Sequence, residues 1–158
     1  MNIEFDLQVA CDTGKIPEAE SIARWLQACE PVMTKEAELS IRIVDEAESA
    51  DLNARYRHKD YPTNVLSFPA DLPVDLALPL LGDLVLCAPV IDREAREQGK
   101  SSDAHWAHML VHGTLHLLGY DHINDEEAEV MEALETRLLQ ALNFPPPYET
   151  ETETGPVH

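Results

Sequence analysis

The chain is predicted to adopt an α+β fold, a small mixed four-stranded sheet covered by about five helices. Three observations lead there. Apolar residues alternate with polar ones over residues 3–9 and 39–44, and two further short apolar runs, 64–68 and 80–88, have strand character. Segments with apolar residues at helical spacing separate or follow them, giving the order β-α-β-α-β-β-α-α-α. One helical segment, from about Ala104 to Leu118, is apolar on more than one side (Trp106, Met109, Leu110, Leu115, Leu117), which places it at the centre of the fold.

Taken in order, Ile3, Phe5, Leu7 and Val9 define the first strand, and Cys11 to Lys15 turn the chain. Pro17 suits the first turn of a helix that buries Ile22, Trp25, Leu26 and Cys29, and Pro31 ends it. Leu39, Ile41 and Ile43 form a second strand running into Val44. Asp45 is placed to cap a helix covering Ala47, Leu52 and Tyr56, which Pro62 must end. Asn64 to Phe68 is a short strand stopped by Pro69, and residues 70–79, with Pro73 and Pro79, read as a loop near the active face. The strand from Leu80 to Ala88 carries Gly82 and Asp83 at its mouth. Pro89 and Asp92 open a helix ending near Gly99. Ser102 or Asp103 caps the central helix, and Asn124 or Asp125 caps the last one. That last helix has Val130, Met131, Leu134, Leu138 and Leu142 as its buried stripe. From Phe144 onward the chain is rich in proline and acids with almost nothing to bury. Residues 1–143 therefore read as one domain and 144–158 as a disordered tail.

With 158 residues, 44% hydrophobic and 26% charged, the chain has the composition of a single soluble domain. No apolar run approaches the roughly 20 residues of a membrane span. The first residues carry acids where a signal peptide carries bases, so a cytoplasmic protein with no membrane partner is expected. Cys11, Cys29 and Cys87 show no C-x-x-C spacing and read as buried reduced thiols. A net charge of −19 argues against a generic nucleic-acid binder. The distribution softens that objection. Arg55, Arg57 and Lys59 cluster with His58, whereas residues 121–158 are strongly acidic with Arg137 their sole base. A local positive patch survives, and a bound divalent cation would reinforce it.

The most informative stretch is HGTLHLLGYDH, residues 112–122, with histidines at H-x3-H-x5-H. On a helix, His112 and His116 project from one face, and two imidazoles at that spacing can reach one ion. Gly119 stands where a helix end favours left-handed dihedrals, letting the chain turn and return His122 as a third ligand. Three protein ligands leave a position for water, the arrangement of catalytic rather than structural zinc. The spacing is that of the metzincin metalloproteases, whose general-base Glu follows the first histidine. Here that position is Gly113, so peptide hydrolysis is disfavoured.

The whole motif, with its GYDH ending, closely resembles the YbeY family of bacterial RNA-processing metalloproteins. The resemblance extends over residues 3–143. RYRHKDYPTNVLSFP is similar to the family's second signature, which implies Arg57 as the active-site cation; Asn64 stands where Asp is expected in many members. LLGDLVLC is similar to the Gly-Asp strand that precedes the motif helix, implying structural roles for Gly82 and Asp83. What the resemblance implies is a metal-dependent, single-strand-specific endoribonuclease active in ribosomal RNA maturation and ribosome quality control. Arg57 would be catalytic; His112, His116 and His122 would hold the metal; Arg55, Arg57 and Lys59 would bind substrate. One divalent ion is expected, zinc first, with nickel an alternative that three histidines also suit. The expected partners are single-stranded RNA, ribosomal RNA, and the ribosome or small-subunit assembly factors. Asp121, His108 and His58 are candidates for a general base; His108, four residues before His112 on the same face, could instead support a ligand from behind, be an alternative ligand, or simply pack the helix, and His105 and Trp106 read as packing residues. Two other readings stay open: a non-catalytic ribosome-assembly factor with a structural metal, and a metalloprotease.

Overall fold

The computed structural model describes residues 3–12, 16–32, 37–70, 80–120 and 124–145. Its elements are β1 (Ile3–Ala10), α1 (Ala19–Gln27), a 3-10 turn (Glu30–Val32), β2 (Ala37–Val44), α2 (Glu46–Arg57), β3 (Val65–Pro69), β4 (Leu80–Cys87), α3 (Ala88–Glu97), α4 (Ser102–Leu117) and α5 (Asp125–Ala141). The element order is the one the hydrophobic periods predict. The four strands lie in the order β1-β2-β4-β3. β1, β2 and β4 run parallel, while β3 pairs antiparallel with β4 at the edge. Pro69 sits on that edge strand, where a residue without an N–H costs the ladder least.

Alternation sorts the strand side chains cleanly. Leu39, Ile41 and Ile43 of β2 and Leu84 and Leu86 of β4 enter the main core with α1, α4 and α5. Val44, Leu66, Val85 and Cys87 point to the opposite face, where Val90 and Leu52 cover them. In α4, twelve of the sixteen residues are buried, which makes it the central helix. It packs on β3 and β4 and against α1, α3 and α5. Among the described residues no helix is long and apolar enough to cross a membrane. None of the three cysteines is in a disulfide; Cys29 and Cys87 are buried and Cys11 is half-buried. Burial pushes the Cys29 thiol up to about 12.

Several local expectations are corrected. α1 begins at Ala19, two residues beyond Pro17, and Pro31 lies within the 3-10 turn that follows the helix. The N-cap of α4 is Ser101, whose Oγ accepts from Ala104 N at 3.1 Å, not Ser102 or Asp103. Asp45 and Asn124 cap α2 and α5 through Glu48 N at 3.0 Å and Glu127 N at 2.9 Å. α2 has no apolar stripe: its buried residues are Ser49 and Asn53, while Tyr56 is exposed. Leu52 packs on the smaller cluster, and polar bonds complete the anchoring. Ser49 Oγ donates to Thr63 O and accepts from Thr63 N, both at 3.0 Å, and Asn53 Nδ2 donates to Tyr61 O at 2.8 Å. In α5, Val130 is exposed, and Glu135 and Leu139 occupy buried positions. Phe144, read as the first residue of the tail, packs edge-on against Trp25 with ring centroids 6.3 Å apart. The 70–79 loop, apart from Ala70, and the tail beyond residue 145 lie outside the described residues.

Candidate active site

The site is built on α4 where it crosses the sheet. Gly113 permits that crossing: a Cβ here would stand 2.8 Å from Leu84 Cδ2 and 3.2 Å from Val65 Cγ2. Ser67 Oγ of β3 donates to the Gly113 carbonyl at 3.2 Å, tying helix to edge strand. The position that carries a general base in metzincins therefore faces the sheet, where even a Cβ would press on the Leu84 side chain. Gly82 is fixed by the same contact layer, since a Cβ there would collide with the Phe68 carbonyl and come within 2.9 Å of Leu117 Cδ2. Asp83 is exposed.

His112 and His116 project from one face of α4, and their Nε2 atoms are 3.2 Å apart. Two donors each about 2.05 Å from a tetrahedral ion stand about 3.3 Å apart, so the pair is spaced to share one ion. A residue that sequence reasoning did not single out sets the tautomer. Glu135 of α5, only 1% exposed, accepts from His108 Nε2 at 2.6 Å and from His112 Nδ1 at 2.8 Å. Burial works to raise its pKa, but hydrogen bonds from the two histidines outweigh it and hold the carboxyl at about 2. An ionised carboxylate only accepts, so the Nδ1 of His112 that faces it is the donor, and Nε2 is the side turned to His116. A carboxylate behind a ligating histidine is the usual support of such ligands. His108 is buried at the back of this arrangement rather than open to solvent, and burial lowers its pKa.

In front of the histidine pair lies a cleft of about 840 Å³ whose walls include Tyr56, Arg57, Asn64, Ser67, His112 and His116. Arg57 enters it from the last turn of α2, not from a loop. His58 closes that helix at φ 61, with its N–H on Ala54 O at 3.2 Å. Asn64 is anchored from behind: its Nδ2 donates to Glu94 Oε1 at 3.0 Å, and Glu94 Oε1 also receives His105 Nε2 at 2.9 Å. Burial opposes ionisation of Glu94, but the bonds from His105 and Asn64 prevail and hold its carboxyl below the usual range. This gives His105 a polar partner as well as a packing role.

The structure thus brings Arg57, His112 and His116 to one cleft. Arg55 and Lys59 do not line it; Arg55 pairs with Asp51 at 3.3 Å on the outer face of α2, and Lys59 is exposed just beyond the helix end. Gly119 has φ 106, and the N–H of Tyr120 closes on Leu115 O at 3.0 Å, the helix exit its position predicts. His122 and Asp121 lie outside the described residues. Among the described residues no group of three or more His, Cys, Asp or Glu is assembled for a metal ion.

Fold and site define an α+β protein whose central helix delivers a carboxylate-supported histidine pair to a cleft shared with an arginine. The family model described as endoribonuclease YbeY matches residues 8–143. Among curated relatives, the Pseudomonas syringae pv. syringae protein named endoribonuclease YbeY is 57% identical over 99% of this chain and 94% of its own length. That of Pseudomonas entomophila is 58% identical over 99% of both. The chain belongs to the YbeY family. The solution structure of TM1509 from Thermotoga maritima, at 20% identity, matches 95% of this chain and 94% of its own with a TM-score of 0.58, a likeness of fold.

Proposed function

We propose that this chain is a metal-dependent endoribonuclease that hydrolyses phosphodiester bonds in single-stranded RNA. The observation that carries it is the 3.2 Å separation of the His112 and His116 Nε2 atoms in the cleft that Arg57 enters, in a chain of the YbeY family. The endoribonuclease names of its relatives support the reaction class.

His112, His116 and His122 would hold one divalent ion, zinc first and nickel second. Bound there, the ion supplies Lewis acidity and a water of lowered pKa. Glu135 and His108 keep the His112 ring in the tautomer and orientation that ligation needs. The planar fork of Arg57 contacts two oxygens of the scissile phosphate and stabilises charge that grows there in the transition state. Arg55 and Lys59, outside the cleft, attract the flanking backbone. Ribosomal RNA is the substrate class, with the ribosome or small-subunit assembly factors as partners, in the cytoplasm. The closed position at Gly113 disfavours the protease reading.

A substrate panel tests this. Single-stranded RNA, duplex RNA and casein are incubated with the purified chain. Cleavage of the single-stranded RNA alone is expected. Casein hydrolysis without RNA cleavage would overturn the reading in favour of a protease. Inertness toward all three would favour the assembly-factor alternative.

A further inference from the structure

The cleft has an aromatic side that the phosphate chemistry does not use. Tyr56 is 61% exposed, on the same helical turn as Arg57. Its ring meets Phe68 of β3 edge-on, with centroids 5.1 Å apart and planes at 67°. Phe68 is half-buried and packed on the smaller core cluster, so it is a fixed prop. Both rings line the cleft with Arg57, His112 and His116. A tyrosine this exposed contributes little to the core. Its place is decided by what it faces.

Consecutive residues on a helix project about 100° apart, so Tyr56 and Arg57, both lining the cleft, can meet different parts of one ligand, an aromatic plane and an anion. RNA offers that pair at every nucleotide. The chain's net charge of −19 repels a polyanion at long range, so non-ionic contacts must supply much of the affinity. Stacking on an aromatic ring supplies about 1–3 kcal/mol per base and tolerates any sequence. A base inside a duplex already has both faces stacked and cannot use the ring.

We propose that Tyr56, propped by Phe68, is the stacking platform for one unpaired nucleobase beside the phosphate that Arg57 contacts, and that this platform selects single-stranded over duplex RNA. The inference rests on the endoribonuclease reading and names the part of the site that recognises the unpaired state.

The test measures binding of a short fluorescent single-stranded RNA to the metal-free full chain by anisotropy, with cleavage followed separately. Tyr56→Ala should weaken binding at least about fivefold, the size of a weak base–aromatic stack, and Tyr56→Phe should stay within about twofold of the parent. Tyr61→Ala serves as a control, because Tyr61 is 52% exposed but does not line the cleft. A fully abasic strand of the same length then replaces the RNA. On it the parent chain should drop to the Tyr56→Ala level, and the two proteins should no longer differ. Equal binding of the base-bearing RNA by Tyr56→Ala and the parent, or a Tyr56→Ala deficit undiminished on the abasic strand, would overturn the platform. Lack of cleavage by the parent chain would instead sink the hydrolysis reading, while the binding comparison still decides the platform.

Discussion

His116→Ala is expected to purify with less than about a tenth of an equivalent of divalent metal and to cleave single-stranded RNA at least about 100-fold more slowly, because it would remove one of the three proposed ligands. The fold should persist. His116 is half-buried at the mouth of the cleft, and Ala is the best helix former. No core cavity opens, in contrast to truncating Leu115 or Leu117, which are buried in the main cluster. Elemental analysis of protein made without an affinity tag, beside a thermal melt, separates ligand loss from unfolding. A folded His116→Ala protein that still retains a full equivalent would remove His116 from the ligand set.

Arg57→Ala is expected to slow RNA cleavage at least tenfold, about 1.4 kcal/mol of transition-state stabilisation, with metal content unchanged. Among the described residues Arg57 forms no ion pair, whereas Arg55 one turn-face away is paired with Asp51. Its guanidinium is thus available to a phosphate in the cleft it lines. Arg57→Lys should recover only part of the rate, because a point charge cannot reproduce two parallel N–H···O bonds. Arg55→Ala should mainly weaken binding and flatten its salt dependence. The comparison is made at saturating RNA, so that a binding deficit does not pass for a catalytic one. Full-rate cleavage by Arg57→Ala there would exclude it from the mechanism.

Much of this was legible in the sequence. Strand alternation and the caps at Asp45 and Asn124 are short-range patterns, and the histidine spacing reports helix geometry directly. What was illegible depends on partners distant in the chain. α2 defeated a hydrophobic reading because it is anchored by Ser49 and Asn53, polar residues whose bonding partners lie at Thr63 and Tyr61. Tyr56, read with Ala47 and Leu52 as part of that helix, is exposed. Glu135 looks like one acid among many on an acidic helix. Its signal was present: it shares a face with Met131, Leu138 and Leu139, all buried, and an acid in an apolar stripe needs a buried donor. Two histidines on α4 supply it. Gly113 read as an absent catalytic group, but it also faces the sheet so closely that a Cβ would press on Leu84, which only the packing of Leu84 and Val65 reveals.

Metal-dependent cleavage at the histidine pair is tested most directly by restoring activity to chelated protein with measured amounts of zinc. The chain is stripped, its residual metal is determined, and cleavage of single-stranded RNA is followed as zinc is added back. Negligible cleavage by the stripped chain is expected, with a rise that levels at one equivalent. Unchanged cleavage by protein holding less than about a tenth of an equivalent would contradict it.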